Sequence, residues 1–343
     1  MAGALNLGSM LDLLLLFMPF FALVLMGWGA ARVRVLPLEG IATMNSFVLF
    51  FGLTAMLFRL GASGALHQPG LPGLLLAYGL AGAVVTALAL GWGARAGLIR
   101  RDSGLVALTT AFPNTGFLGL PLLTGLLGPQ AAGPIAATLI VDVLVLSSLC
   151  LAWAHSHPAG EAVGDDPAEA WHAAQASLQG ALRNPLLWSM ALGMLVSWLG
   201  WSLPRALDET VRLLSLAATP TALFTLGTML ARAQMQAPMQ PKTAARMPIW
   251  VPVLTKLLLH PVLVCLAGWG LAAVGAPLTP AGLMTVALAA ALPSASNVSM
   301  LAEREGANTA LVARIILWTT VGALLTLSAW ASVLGGRLET IHF

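Results

Sequence analysis

The sequence predicts an all-α polytopic membrane protein: ten transmembrane helices in two inverted halves of five, with the fourth and ninth helices broken. Three observations carry this. Apolar residues make up 58% of the 343 residues and charged residues only 8%, where a soluble domain carries about 25% charged residues; mean hydropathy is +0.88. The apolar residues gather in near-continuous runs of about 20, the length a helix needs to cross a bilayer core, not in the alternating segments of roughly ten of a membrane barrel. The same interruption also occurs twice. Ala111-Phe112-Pro113-Asn114-Thr115-Gly116 is followed 180 residues later by Ala291-Leu292-Pro293-Ser294-Ala295-Ser296-Asn297.

The first run, 11–31, has no basic segment before it and is long for the apolar part of a signal peptide, so it reads as a helix that stays in the protein. Asp12 stands at its start and Glu39 at the start of the second run, 40–60, where acids complement the helix dipole. The third run spans 72–96. The fourth, 103–127, contains the first break, and the fifth, 131–154, carries Asp142 at its middle. A polar stretch from Ser156 to Gln175, with Glu161, Asp165, Asp166 and Glu169, separates the halves. The sixth and seventh runs are 181–201 and 209–231. The eighth, 248–273, carries Lys256 and His260, four apart on one face; the ninth, 279–301, contains the second break. The tenth, 308–335, carries Arg314 near its start. The eleven Trp cluster near run ends, as interfacial anchors do. Cys150 and Cys265 lie inside apolar runs without metal-type spacing and read as small packing residues.

Five runs per half, an odd number, make the repeat inverted. The first five-helix repeat is 1–155, a connecting loop 156–178, and the second repeat 179–343. Identity between the halves is faint: Ala107, Leu108 and Pro113 match Ala287, Leu288 and Pro293 in one register. Orientation follows from Lys and Arg, since acids count little toward the positive-inside rule. The central-loop side holds Arg32, Arg34, Arg95, Arg100, Arg101, Arg183, Arg232, Lys242, Arg246 and Arg304; the other holds Arg59, Arg205, Arg212 and Arg337. The expectation is a cytoplasmic central loop with both termini outside. The basic residues form no patch, which argues against a nucleic-acid partner.

Proline removes a backbone N–H and clashes with the carbonyl four residues earlier, here Thr109 and Ala289. In hydrocarbon, broken backbone survives only inside protein or beside a water-filled cavity. A matched pair of breaks points to a transporter's binding site. Each break also begins a new half-helix whose first N–H groups, with the dipole behind them, suit an anion. Pro113, Asn114, Thr115 and Gly116 at the first break, and Pro293, Ser294, Ser296 and Asn297 at the second, are therefore the candidate substrate-binding residues. The bland alternative is a proline kink repaired by neighbouring helices. Intramembrane ionisable groups default to functional candidates: Asp142 for proton or cation coupling, Lys256 and His260 for charge balance, and Arg314, whose position also fits snorkelling to the interface. His155 and His157 with the acids after them read as a solvated loop, not a metal site. Walker, dinucleotide and Gly-x-Ser-x-Gly motifs are absent, and no cofactor is expected.

At these residues the chain resembles the auxin efflux carrier family of membrane transport proteins, which includes the plant PIN carriers and bacterial malonate-transporter-like proteins. The carrying segments run from Phe112 through Gly119 to Leu122 and from Leu292 to Asn297. Weaker likenesses are Leu182-Arg183-Asn184-Pro185-Leu186, Thr219 to Gly227, and Lys256-Leu257-Leu258-Leu259-His260-Pro261. The resemblance implies ten helices in an inverted repeat, crossed fourth and ninth helices as in PIN and bile-acid-symporter proteins, a scaffold, and an elevator-like motion. It also implies organic anion substrates and commonly a dimer. It puts Pro113, Asn114, Pro293 and Asn297 on the two crossover motifs. Two departures stand out: Thr54 where many relatives have proline, and Arg314 where a small or apolar residue is expected.

The function expected is secondary active or facilitative transport of a small carboxylate in a bacterial inner membrane. H+ or Na+ are the candidate coupling ions, a homodimer the expected assembly, and an enzyme is not expected. The alternatives are a sodium-coupled symporter of bile-acid-symporter type, an intramembrane enzyme using Asp142 and His260, and a receptor that binds without transporting.

Overall fold

The computed structural model describes residues 10–37, 39–155, 185–236 and 247–338. The expected cytoplasmic loop 156–178, with His157, and the Leu182-Arg183-Asn184 likeness lie outside them. Within the described residues the secondary structure is helical apart from one isolated bridge. The helices are α1 (Met10–Arg32), α2 (Gly40–Ala62), α3 (Leu71–Arg95), α4 (Arg100–Ala111), α5 (Thr115–Leu127) and α6 (Pro129–His155) in the first part. The second part holds α7 (Pro185–Trp198), α8 (Arg205–Gln236), α9 (Trp250–Ala273), α10 (Pro280–Ala290), α11 (Asn297–Arg304) and α12 (Thr309–Leu338).

Six of these, α2, α3, α6, α8, α9 and α12, contain stretches long and apolar enough to cross a membrane. The fourth and ninth apolar runs of the sequence are each two helices, α4 with α5 and α10 with α11, because the chain is extended at Phe112 (φ −84°, ψ 109°) and leaves the helix again after Ala290. Elsewhere the ends are set by local chemistry. Thr279 accepts the Gly282 N–H at 3.2 Å and starts α10, with Pro280 in its first turn. α3 and α9 end alike: Gly97 and Gly275 take left-handed φ of 74° and 83°, and the next N–H, of Leu98 or Ala276, returns to the carbonyl of Gly93 or Leu271 at 3.0 Å.

Two packing groups emerge. α1 lies along α8, and α2 along α7. Both contacts depend on glycine. A Cβ on Gly27 would sit 1.9 Å from the Phe224 carbonyl oxygen, and one on Gly227 1.9 Å from that of Val24. In the second contact, Gly61 and Gly193 meet the Met190 and Phe58 carbonyls at 2.4 and 2.1 Å in the same way. Small residues let helix backbones touch where lipid supplies no hydrophobic drive between helices. In the other group α3 packs on α4 and α9, α4 on α6, and α9 on α10, with α12 against α10 and α11. The continuous apolar core joins the groups through Leu53, Phe117, Leu223, Leu292 and Val298. Leu25, Phe50, Leu76, Leu192, Leu266 and Leu325 point outward and exposed, as a lipid-facing surface requires.

Candidate functional site

The two breaks meet. Pro113 and Ser294 form an antiparallel bridge in which the Asn114 N–H donates to the Pro293 carbonyl at 2.8 Å and the Ala295 N–H to the Phe112 carbonyl at 3.0 Å. Proline has no N–H to give, so the bridge uses the residues on either side. A third strut comes from α12: the Ser294 N–H donates to Thr319 Oγ1 at 3.2 Å. Backbone that left its helix is thus paired with backbone that left another, and buried main-chain groups need such partners.

The carbonyls expected to be freed fare differently. That of Ala289 is taken by the Leu292 N–H at 3.2 Å. The carbonyl that receives a side-chain donor is instead that of Ala111, because the Thr115 N–H turns to the Pro113 carbonyl at 2.8 Å.

Around the bridge, Asn114, Thr115 and Ser294 are buried, yet Asn114 Nδ2, Thr115 Oγ1 and Ser294 Oγ have no hydrogen-bond partner in the protein. Gly116 is buried beside them, and a Cβ there would reach only ordinary contact distance, 3.4 Å, from Leu53. Gly119 is more tightly packed: a Cβ there would lie 2.5 Å from a Leu292 methyl, which would have to turn aside. Ser296 precedes α11 without a side-chain capping bond, its carbonyl accepting from the Ser299 hydroxyl, and Asn297 is half-buried in the first turn.

A second cluster adjoins the bridge at the end of α4. Lys256 is fully buried; its Nζ donates to the Ala111 carbonyl at 3.3 Å and to His260 Nδ1 at 3.2 Å. The ammonium thus sits at the negative end of the α4 dipole. Asp142 is fully buried on α6 and accepts the Tyr78 hydroxyl at Oδ1, 2.8 Å away, while the Tyr78 and His260 rings lie 5.6 Å apart. Asp142 Oδ2 and His260 Nε2 have no partner in the protein. Asp142 and Lys256 both sit on π-helical turns, Val141–Leu146 and Thr255–Leu259, a local widening often found at functional sites.

Asp142, Lys256 and His260, candidates from the sequence, therefore come together. Arg314 does not join them and is exposed on α12. Thr54 is half-buried, and its hydroxyl donates back to the Phe50 carbonyl at 2.6 Å within its own helix. Sequence reasoning missed Tyr78 and Thr319. Tyr78 carried a signal, being the only tyrosine of the chain and in mid-run; Thr319 carried none. His155 pairs with Glu305 at 2.7 Å on the surface. Among the described residues no three His, Cys, Asp or Glu side chains are grouped to hold a metal ion.

The family described as "Membrane transport protein" matches residues 14–331. The chain is 27% identical over 321 residues to a protein of Rhizobium meliloti (strain 1021) named "Putative malonate transporter", covering 91% of this chain and 93% of that protein. It is 25% identical over 321 residues to an "Uncharacterized transporter" of Methanothermobacter thermautotrophicus, covering 91% and 95% of the two chains.

Proposed function

This chain belongs to the membrane transport protein family, and we propose that it is a secondary or facilitative carrier of a small organic anion, a carboxylate of the malonate type. Family and relatives make it a transporter rather than an enzyme. The substrate class rests on one observation above all. Asn114 Nδ2, Thr115 Oγ1 and Ser294 Oγ are buried donors without a protein acceptor, at a bridge where two new helices begin. Buried polar groups are normally paired, and a carboxylate supplies the acceptors that these lack. Asn297 and Ser296, at the start of α11, orient the anion. Lys256 balances its charge, and Asp142 is the group through which a proton couples to it.

In this reading α1, α2, α7 and α8 form the scaffold, and the other helices carry the crossing as one body past it in an elevator-like motion. Ten helices in an inverted repeat are supported by the paired contacts of α1 with α8 and α2 with α7, and by the twin glycine ends of α3 and α9. A homodimer in a bacterial inner membrane, central loop inside and termini outside, completes the proposal.

The test is uptake of labelled malonate into proteoliposomes of the purified protein, with a series of small carboxylates as competitors. Uptake blocked by those carboxylates is expected. Neither uptake nor competition by any of them would sink the substrate class. Unchanged apparent affinity in both Asn114→Ala and Asn297→Ala would sink the site.

A further inference from the structure

The outward faces of α9 and α12 carry two apolar stripes that meet. On α12 the exposed positions run Arg314, Trp318, Val321 and Leu325; on α9 they begin Trp250, Leu254 and Leu258. Steps of three and four keep each set on one side of its helix. The stripes touch where the exposed rings of Trp250 and Trp318 lie 5.3 Å apart.

Arg314 heads this seam. It is exposed, and it makes no ion pair among the described residues. It stands five residues after Thr309, where the spanning stretch of α12 begins, about 7.5 Å along the axis. Side chains lean toward the start of their own helix. The Trp318 ring, one turn further in, therefore leans toward Arg314, while the guanidinium leans toward the membrane surface. The start of α12 itself needs no anion: the Leu311 N–H goes to Asn308 Oδ1 at 3.0 Å, and the Asn308 N–H to Asp102 Oδ1 at 2.8 Å. What remains is an always-charged fork above an aromatic pair and an apolar seam. A guanidinium grips a phosphate with two parallel hydrogen bonds, and tryptophan settles at headgroup level.

We propose that this seam binds an anionic phospholipid, its phosphate on Arg314 and an acyl chain along Trp318 and Trp250 toward Val321 and Leu254. A zwitterionic lipid carries its own ammonium beside the phosphate and competes poorly. An arginine that merely snorkels to water discriminates between neither. On the inner side of α12 the very next residue, Thr319, accepts the Ser294 N–H at 3.2 Å, so the lipid lies against the helix that braces the crossing. This site is independent of whether the crossing carries a carboxylate.

Tryptophan quenching tests it on the full chain, in bilayers of equal parts phosphatidylglycerol and phosphatidylcholine where one lipid or the other carries bromine on its acyl chains. The signal of the pair is the difference between a protein with both tryptophans and its Trp250→Phe/Trp318→Phe counterpart. Brominated phosphatidylglycerol should quench the pair about two to five times more strongly than brominated phosphatidylcholine, the preference that one basic residue gives at an anionic surface. Arg314→Lys should keep part of that preference, and Arg314→Gln should abolish it. Equal quenching by the two lipids in the wild type overturns the proposal, as does a preference that survives Arg314→Gln. Loss of the preference on adding soluble glycerol phosphate would also overturn it, because the site would then take a free anion. If Arg314→Gln does not fold, Arg314→Met replaces it under the same criteria, and the wild-type comparison needs no variant.

Discussion

Asn114 and Thr319 lie at the same bridge, yet their substitutions should separate binding from folding. Asn114 Nδ2 makes no hydrogen bond inside the protein, so Asn114→Ala should leave the melting temperature unchanged. It should weaken malonate about tenfold or more, the order of one lost hydrogen bond to a charged ligand. Thr319 Oγ1 instead accepts the Ser294 N–H. Thr319→Val keeps the shape but strands that buried N–H, at a cost of about 1–3 kcal/mol. A lower melting temperature, restored by Thr319→Ser, is the expected result, and an unchanged one would mean that the strut is idle. Tyr78→Phe removes the only donor to the Asp142 carboxylate among the described residues, and uptake should fall more than stability does. At this scale the sequence was partly legible. Proline chemistry marks the breaks wherever they occur, and an ionisable group in a long apolar run is conspicuous. Thr319 is one threonine among many, and only the approach of α12 to Ser294 gives it a role.

Among the helices, the closest approaches are those of α1 with α8 and of α2 with α7. Gly27→Ala would drive a Cβ to 1.9 Å from the Phe224 carbonyl oxygen, whereas Gly29, two residues along the same helix, has nothing within 4 Å of its Cβ position. Over-packing of this kind costs about 1–3 kcal/mol or more. Gly27→Ala and Gly193→Ala should therefore lower the melting temperature, with Gly29→Ala as a neutral control. Equal melting temperatures for Gly27→Ala and Gly29→Ala would show that α1 does not lie on α8 in this way. The apolar runs located the helices because hydropathy is a property of the residues themselves. The π-helical turns at Val141–Leu146 and Thr255–Leu259 left no mark in the sequence. Neither turn contains proline or glycine, and the widening is decided by what the side chains meet across the interface.

Over the whole molecule, the two packing groups make a prediction about motion. Asn45 on α2 and Met300 on α11 touch across the boundary between them. Disulfide closure of a pair introduced as Asn45→Cys and Met300→Cys should arrest malonate uptake, and reduction should restore it. Cys150 and Cys265 are free and buried, and replacing both by alanine leaves the introduced pair as the only thiols of the chain. Full uptake through the cross-linked protein would exclude movement of α11 relative to α2.

By itself the sequence determined that this is a helical membrane protein with two equivalent interruptions, because transfer of side chains to lipid and the missing N–H of proline are local facts. It also singled out Asp142, Lys256 and His260, since charge inside an apolar run is costly wherever the chain folds. Only the tertiary structure decided that the interruptions pair with each other through Asn114 and Ala295, that Tyr78 and Asp142 share a proton-bearing contact, and that Lys256 reaches the Ala111 carbonyl and not that of Thr109. Those are distances between groups up to about 180 residues apart in the chain, set by how the helices pack. Residue type and spacing along the chain do not encode them separately.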